Sequence, residues 1–398
     1  MKQRPPHFDD AEYLLDGFDH VETVAEFRER LGRGRPLNVK LGIDPTSPDL
    51  HLGFMVVLHA LQRFAESGHK VTLIIGDFTA RIGDPSGKKI TRPQLGDDEI
   101  EANMETYRTQ AARVLDLDRI TVRYNSEWLG RLTSADLIRL AGKSTVAQML
   151  ERNDFRERYQ SGDAISLHEL LYPVAMAYDS VVVKADVELG GTDQLFNLLM
   201  GRHYQREFGQ EPQICAMVPL LVGLDGVQKM SKSLDNYVGV TEPPGVQFGK
   251  IMSIPDHLIP MYARYAAFSE IDESAPPMEQ KKHVAAAVVA RYHGRSAAER
   301  ARKRFEQVVQ RGEQPPSGEI EDKEIVVSTA TLPMSAVFAS AYDISHREAK
   351  QKIRERGARI GGKVVTDPNE PVPVDTPVVL SIGRREDKYL RVTLRLSS

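Results

Sequence analysis

The chain has 398 residues, 41% hydrophobic content and a formal net charge of −4, enough apolar material for two or three domains with proper cores. No apolar run reaches the length of a membrane span, and the opening Met-Lys-Gln-Arg-Pro-Pro-His lacks the apolar core of a signal peptide, so a soluble, cytoplasmic protein without membrane contact is expected. The single cysteine, Cys215, lies in an apolar stretch, which excludes an internal disulfide and implies no metal site.

Residues 37–43 read as a buried strand, 53–66 as an amphipathic helix and 70–75 as a β-branched strand. The alternation continues with a helix over 98–114, a strand at 120–124 and helices through 150. A helix over 168–178, a strand at 181–184 and a helix over 193–205 complete it. Such repetition predicts an α/β fold with a doubly wound parallel sheet, whose ligands bind beyond the carboxyl ends of the strands. From 245 to 311 the pattern turns helical, and 312–318 is a breaker cluster. Helices at 334–341 and 347–356 then precede alternating strands ending at 396. The expected division is an α/β domain over 1–240, a helical domain over 241–318, a linker over 319–332 and a small α+β domain over 333–398. That last segment carries twelve Lys or Arg against eight Asp or Glu, whereas the rest of the chain is acidic. A basic module on an acidic body points to an anionic partner.

The most informative residues are Lys229-Met230-Ser231-Lys232-Ser233. Two lysines with hydroxyls beside them, in a loop, suit a polyphosphate. Far upstream, His51-Leu52-Gly53 opens a helix directly after a strand, and a helix N-terminus favours anions through its free N–H groups and dipole. The expectation is one nucleotide site assembled from two distant halves. Ahead of it, Pro45 keeps Asp44 extended at the strand end, Gly42 leaves room beside the strand, and Gly53 leaves room for a purine. Gly83-Asp84-Pro85-Ser86-Gly87-Lys88 lacks the spacing of a phosphate loop; as a rigid turn it would fix one carboxylate at a strand end, where it can meet an ammonium group. Tyr172, Met176 and Asp179 fall on one face of a helix. Gly190-Gly191-Thr192-Asp193-Gln194 permits close backbone approach, and Asp193 suits ribose hydroxyls, with N-capping by Thr192 or Asp193 as the competing reading. No nucleophile set stands out, so chemistry by positioning and charge stabilisation fits best.

His51-Leu52-Gly53 together with Lys229-Met230-Ser231-Lys232-Ser233 resembles the paired signatures of class I aminoacyl-tRNA synthetases. Asp44-Pro45-Thr46, Gly83-Asp84-Pro85-Ser86-Gly87, Tyr178-Asp179 and Gly191-Thr192-Asp193-Gln194 narrow the resemblance to the bacterial tyrosyl enzymes, and 345–362 is similar to an S4-type RNA-binding module. The resemblance implies a Rossmann-like catalytic domain, an anticodon-side helical domain and an S4-like domain. It also implies a homodimer that joins tyrosine to tRNA(Tyr), using ATP with Mg²⁺ and no tightly bound cofactor. On that basis Thr46, His51, Lys229 and Lys232 would be catalytic. Asp44, Gly53, Gly191, Asp193 and Ser231 would join His51 and both lysines in holding ATP. Lys40, Asp84, Tyr172, Met176, Asp179 and Gln194 would surround tyrosine, Asp179 accepting the phenol hydrogen bond. Arg347, Lys350, Arg354, Arg359 and Lys363 would contact RNA.

Three positions depart from the family pattern: Phe54 replaces a second histidine, Met176 replaces a glutamine near the ammonium, and Lys40 replaces a tyrosine near the phenol. Losing a hydrogen bond to a charged group costs roughly 1.5–3 kcal/mol, so the first two would weaken activity without abolishing it. The alternatives are a tryptophanyl enzyme of the same architecture and an RNA-binding paralogue with an eroded pocket.

Overall fold

The computed structural model describes residues 5–46, 49–85, 96–311, 313, 320–383 and 389–397. Its contacts divide the chain into one unit of Met1–Glu242 with Ser253–Val284, and a second of Pro243–Met252 with Ala285–Ser398.

The first unit is built on a six-stranded sheet of β1 (His20–Glu22), β2 (Asn38–Ile43), β3 (Lys70–Ile75), β4 (Ile120–Tyr124), β5 (Val187–Gly191) and β6 (Ile214–Val218), in the order β1-β6-β5-β2-β3-β4. β1 is antiparallel to β6, and the remaining pairs are parallel. Every residue of β6 is buried, as expected of a parallel strand covered on both faces. The chain steps from β2 through β3 to β4, then returns to the other side of β2 for β5 and β6. That reversal opens a crevice beyond the carboxyl ends of β2 and β5, where doubly wound sheets bind ligands.

Helix α1 (Leu52–Glu66) follows β2 and buries Leu52, Met55, Val56, Leu58, Leu61 and Phe64, the i, i+3, i+4 pattern of a helix laid on a sheet. Helix α2 (Asp97–Ala111) lies between β3 and β4. Helix α3 (Leu167–Val183) runs further than its sequence pattern indicates, through the segment expected as a strand at 181–184. Val181 packs with Phe155, Val174, Met200 and Tyr204, the last two on α4 (Leu195–Glu207). Burying a side chain of that size stabilises by about 1.5–3 kcal/mol, enough to override a β-branched preference. The strand falls at β5 instead, after Lys184 ends α3 in a left-handed conformation.

Residues 253–284, expected with a separate helical domain, pack on this unit. Tyr262 is fully buried and donates to Val222 O at 2.8 Å. No helix among the described residues is long and apolar enough to cross a membrane.

The second unit contains α5 (Pro244–Met252), the end of α6 (Pro277–His293) and α7 (Arg295–Arg304). A five-stranded sheet follows, built from β7 (Glu321–Val327), β9 (Ala358–Ile360), β10 (Lys363–Val364), β12 (Val378–Ile382) and β13 (Tyr389–Leu396) in the order β10-β9-β12-β13-β7. β8 (Thr331–Pro333) pairs with β11 (Pro371–Pro373). Helices α8 (Met334–Tyr342) and α9 (His346–Arg354) contribute Val337, Phe338 and Ile353 to the core over Leu380, Val392 and Leu394. The segment 319–332 is therefore not a linker where it is described. β7 runs parallel to β13 over its whole length, because its ladder completes that sheet's edge. Most of the breaker cluster, 312 and 314–318, lies outside the described residues.

Candidate active site

A cavity of about 850 Å³ opens at the crevice between β2 and β5. Fifteen of the expected site residues belong to this unit, and all but Lys40 line the cavity: Asp44, Thr46, His51, Gly53, Asp84, Tyr172, Met176, Asp179, Gly191, Asp193, Gln194, Lys229, Ser231 and Lys232.

The two distant halves meet through backbone pairing. Leu52 N donates to Val238 O at 3.0 Å and Val240 N to Leu50 O at 3.0 Å, so the start of α1 is laced to the strand-like stretch just after the lysine loop. The loop itself hangs from a hairpin in which Met230 N donates to Leu221 O at 2.7 Å. Buried Asn236 clamps it, accepting from Ser231 N at 2.8 Å and donating to Asp225 Oδ2 at 2.7 Å. Gly223 is required there, since an added Cβ would meet the Asn236 amide at 2.3 Å.

His51 is the N-cap of α1 without a side-chain cap bond, and its buried Nδ1 has no hydrogen-bond partner among the described residues. Burial, then the charges of Lys232 and Lys229, push its pKa down to about 4. A neutral imidazole beside two ammonium groups can donate or accept a hydrogen bond without adding charge. Phe54 stacks obliquely on it at 4.8 Å between ring centres. Gly53 matters sterically, because a Cβ there would meet the His51 ring at 3.0 Å. Lys232 reaches Asp49 at 3.5 Å and lies 5.8 Å from the Tyr237 ring centre. Lys229 donates to Asp193 Oδ2 at 2.6 Å, so the groups expected to grip phosphate and ribose hold each other here. Neither Thr192 nor Asp193 makes a side-chain cap bond, which leaves the capping alternative without support.

The other end is a ring of carboxylates. Asp44 is half-buried and accepts from Thr79 Oγ1 at 2.7 Å and Tyr172 OH at 2.9 Å. Burial, with Asp84 and Asp179 nearby, pushes its pKa up to about 7. Gly76 admits it, since a Cβ there would overlap Asp44 Oδ1 at 2.0 Å. Asp179 is 3% exposed and accepts from Trp128 Nε1 at 2.8 Å and Asn125 Nδ2 at 3.3 Å. Burial pushes its pKa up to about 6, against the opposing influence of Lys40. Asp84 follows a short helix, Thr79–Ile82, rather than ending a strand, and takes a bond from Gln194 Nε2 at 3.2 Å. Arg152 approaches it at 3.5 Å. Residues 86–88 of that turn lie outside the described residues. Met176 packs with Leu198, Cys215 and Met217, presenting an apolar wall where an amide was expected to be missed.

Lys40 is the one expected tyrosine contact that does not line the cavity. Its ammonium turns into the sheet and pairs with Glu188 at 2.9 Å, both side chains 1% exposed. The register of β2 against β5 sets the two directly opposite.

Thr79, Asn125, Trp128 and Arg152 were not singled out by their motifs. Asn125 directly follows a parallel strand and Trp128 is the chain's only tryptophan, and those two signals could have found them. In the second unit, Arg347, Lys350 and Arg354 are exposed and share one face of α9. Lys363 is exposed on β10, while Arg359 is half-buried and donates to Gly362 O at 3.4 Å.

The family model "tRNA synthetases class I (W and Y)" matches residues 33–310. A tyrosine–tRNA ligase of Moorella thermoacetica is 49% identical over 92% of this chain and 90% of its own length. One of Aromatoleum aromaticum is 46% identical over 96% and 98%. The tyrosyl-tRNA synthetase structure from Aeropyrum pernix aligns with a TM-score of 0.60 at 20% identity, covering 74% of this chain and 98% of that one, which speaks for the fold alone. A family match across most of the chain, joined by relatives of nearly half identity along nine-tenths or more of their length, means that this chain belongs to the class I tRNA synthetases of the tryptophan and tyrosine type, among the tyrosine–tRNA ligases.

Proposed function

We propose that this chain activates L-tyrosine with Mg²⁺-ATP and transfers it to tRNA(Tyr), with the cavity residues in the following roles. The tyrosine carboxylate attacks the α-phosphorus, a new P–O bond forms, and the bond to the β-phosphate breaks to release pyrophosphate. Lys229 and Lys232 neutralise charge developing on the phosphates from the loop side, while His51 and Thr46 donate from the α1 side. Such groups act on the transition state more than on substrate affinity. Asp193 receives the ribose once Lys229 leaves it, and Gly53 and Gly191 let the nucleotide lie against backbone. Asp179 accepts the phenol hydrogen bond, and Tyr172, Asp84 and Gln194 surround the ammonium. A site built for a hydroxyl rejects phenylalanine because its polar groups would be left unpaired, for which tyrosyl-tRNA synthetase is itself the standard illustration. A tRNA ribose hydroxyl then attacks the acyl carbon and AMP departs.

The observation that carries this reading is the convergence of His51, Lys229, Lys232 and Asp179 on one cavity. The curated relatives favour tyrosine over tryptophan as substrate. Finer parts of the reading have separate support. Exposed apolar side chains at Ile138, Val146, Tyr159 and Leu167 suit a homodimer contact. The basic face of α9 suits the tRNA backbone. A cytoplasmic location follows from the partners. Pyrophosphate exchange with tyrosine, phenylalanine and tryptophan at matched concentrations tests the function. Exchange with tyrosine alone is expected; a tryptophan preference, or no exchange with intact RNA binding, overturns it.

A further inference from the structure

Glu188 and Lys40 form a closed, buried charge cluster beneath the cavity floor. Glu188 accepts from Ser180 Oγ at 3.0 Å and from Gln213 Nε2, and pairs with Lys40 at 2.9 Å. Room for the cluster comes from Gly201 on α4, where a Cβ would meet Gln213 Nε2 at 2.4 Å and Ser180 Oγ at 2.8 Å. Ser180 is the chain neighbour of Asp179 on α3, so the cluster is tied to the helix turn that presents Asp179 to the cavity. A buried ion pair of this kind is a poor source of stability and calls for another explanation.

We propose that Lys40 is a positioning residue for the substrate phenol, acting through Asp179: paired with Glu188, it supplies the counter-charge that keeps Asp179 an ionised acceptor. The inference rests on the reading of Asp179 as the phenol acceptor. The charged groups around Asp179 are Lys40 on β2, Glu188 on β5 and Asp44 after β2, and its direct donors, Trp128 and Asn125, are neutral. Among the described residues, Lys40 is thus a cation set against three carboxylates. A protonated Asp179 would offer a donor where the phenol O–H must donate, and the preference for tyrosine over phenylalanine would fall.

The test measures KM and kcat for tyrosine and phenylalanine in pyrophosphate exchange, with the full chain, from pH 5 to 8.5. In the unsubstituted protein the tyrosine KM should rise as pH falls through about 6, with phenylalanine little changed. Lys40→Met should move that midpoint up by about one pH unit, so that tyrosine KM about doubles at pH 7 and rises roughly tenfold at pH 5, with kcat changed far less. Glu188→Gln should move it down, because a like charge is removed while the cation stays. Opposite displacements are the signature; structural damage would degrade both variants in the same direction. Should Lys40→Met not fold, Glu188→Gln carries the test alone. Midpoints that stay in place, or move together, overturn the proposal. Asp179→Asn separates the two layers: if it leaves the tyrosine-to-phenylalanine ratio intact, the reading of Asp179 fails, whereas a collapsed ratio with unmoved midpoints in the other variants removes Lys40 alone.

Discussion

At one end of the cavity, Asp179 is 3% exposed and its oxygens are already engaged by Trp128 and Asn125. At the other, the Lys229 side chain is 43% exposed and its ammonium is held by Asp193 at 2.6 Å. The first end is set before any ligand arrives, by side chains from separate elements converging in a dry interior. The second is carried on a hairpin loop whose cations must exchange protein partners for phosphate. Selectivity suits the first construction, since an unpaired buried group is costly. Charge stabilisation during bond breaking suits the second, where groups engage most strongly as charge develops. Substitutions at the two ends should therefore separate into effects on KM and selectivity, and effects on turnover.

The largest expected effect lies at the loop. Lys232→Ala should slow adenylate formation by about 10²–10³-fold while tyrosine KM stays within about threefold. An unchanged single-turnover rate would remove the loop from the chemistry and break the comparison. Next, Gly223→Ala should displace the Asn236 clamp and reduce turnover by roughly tenfold with tyrosine-to-phenylalanine selectivity preserved. Lost selectivity in that variant would mean the two ends are mechanically coupled.

A smaller, pH-dependent effect is expected at Asp44. Its folded-state pKa of about 7 lies above the ordinary 3.8, so ionising it carries a stability cost that is absent below about pH 4 and fully present above pH 7. Asp44→Asn should consequently raise unfolding stability by about 1–2 kcal/mol at pH 8, the gain shrinking as pH falls towards 4, while ATP binding weakens. Denaturant melts at both pH values measure it; a gain that grows in acid would contradict the sign. The smallest effect on activation should come from deleting 320–398, which leaves pyrophosphate exchange near normal and impairs tRNA charging. The cut belongs before β7 rather than at Pro333, because β7 otherwise loses its partner β13. Charging that survives the deletion would give the basic module another task.

The cavity's chemistry was legible where it sits in short contiguous patterns. His51 with Gly53, Lys229 with Lys232, and the shared helix face of Tyr172 and Asp179 could all be read before any contact was known. Trp128 and Asn125 carried only isolated signals and Thr79 none, since they reach Asp179 or Asp44 across 51, 54 and 35 residues of sequence. The β-branched run at 181–183 misled for a related reason: its local preference favours a strand, and only Tyr204 and Phe155 packing on Val181 keep it helical.

Periodicity and turn chemistry are properties of neighbouring residues, so the sequence alone determined the alternating α/β body, the two signature segments and the basic tail. Where Lys40 points is a different kind of fact. Nothing adjacent in the chain tells a buried lysine whether to face a ligand or a carboxylate; the register of β2 on β5 decided it, by setting Glu188 opposite. Desolvation makes that choice strong, because a buried charge must find its counter-charge wherever the packed structure provides one.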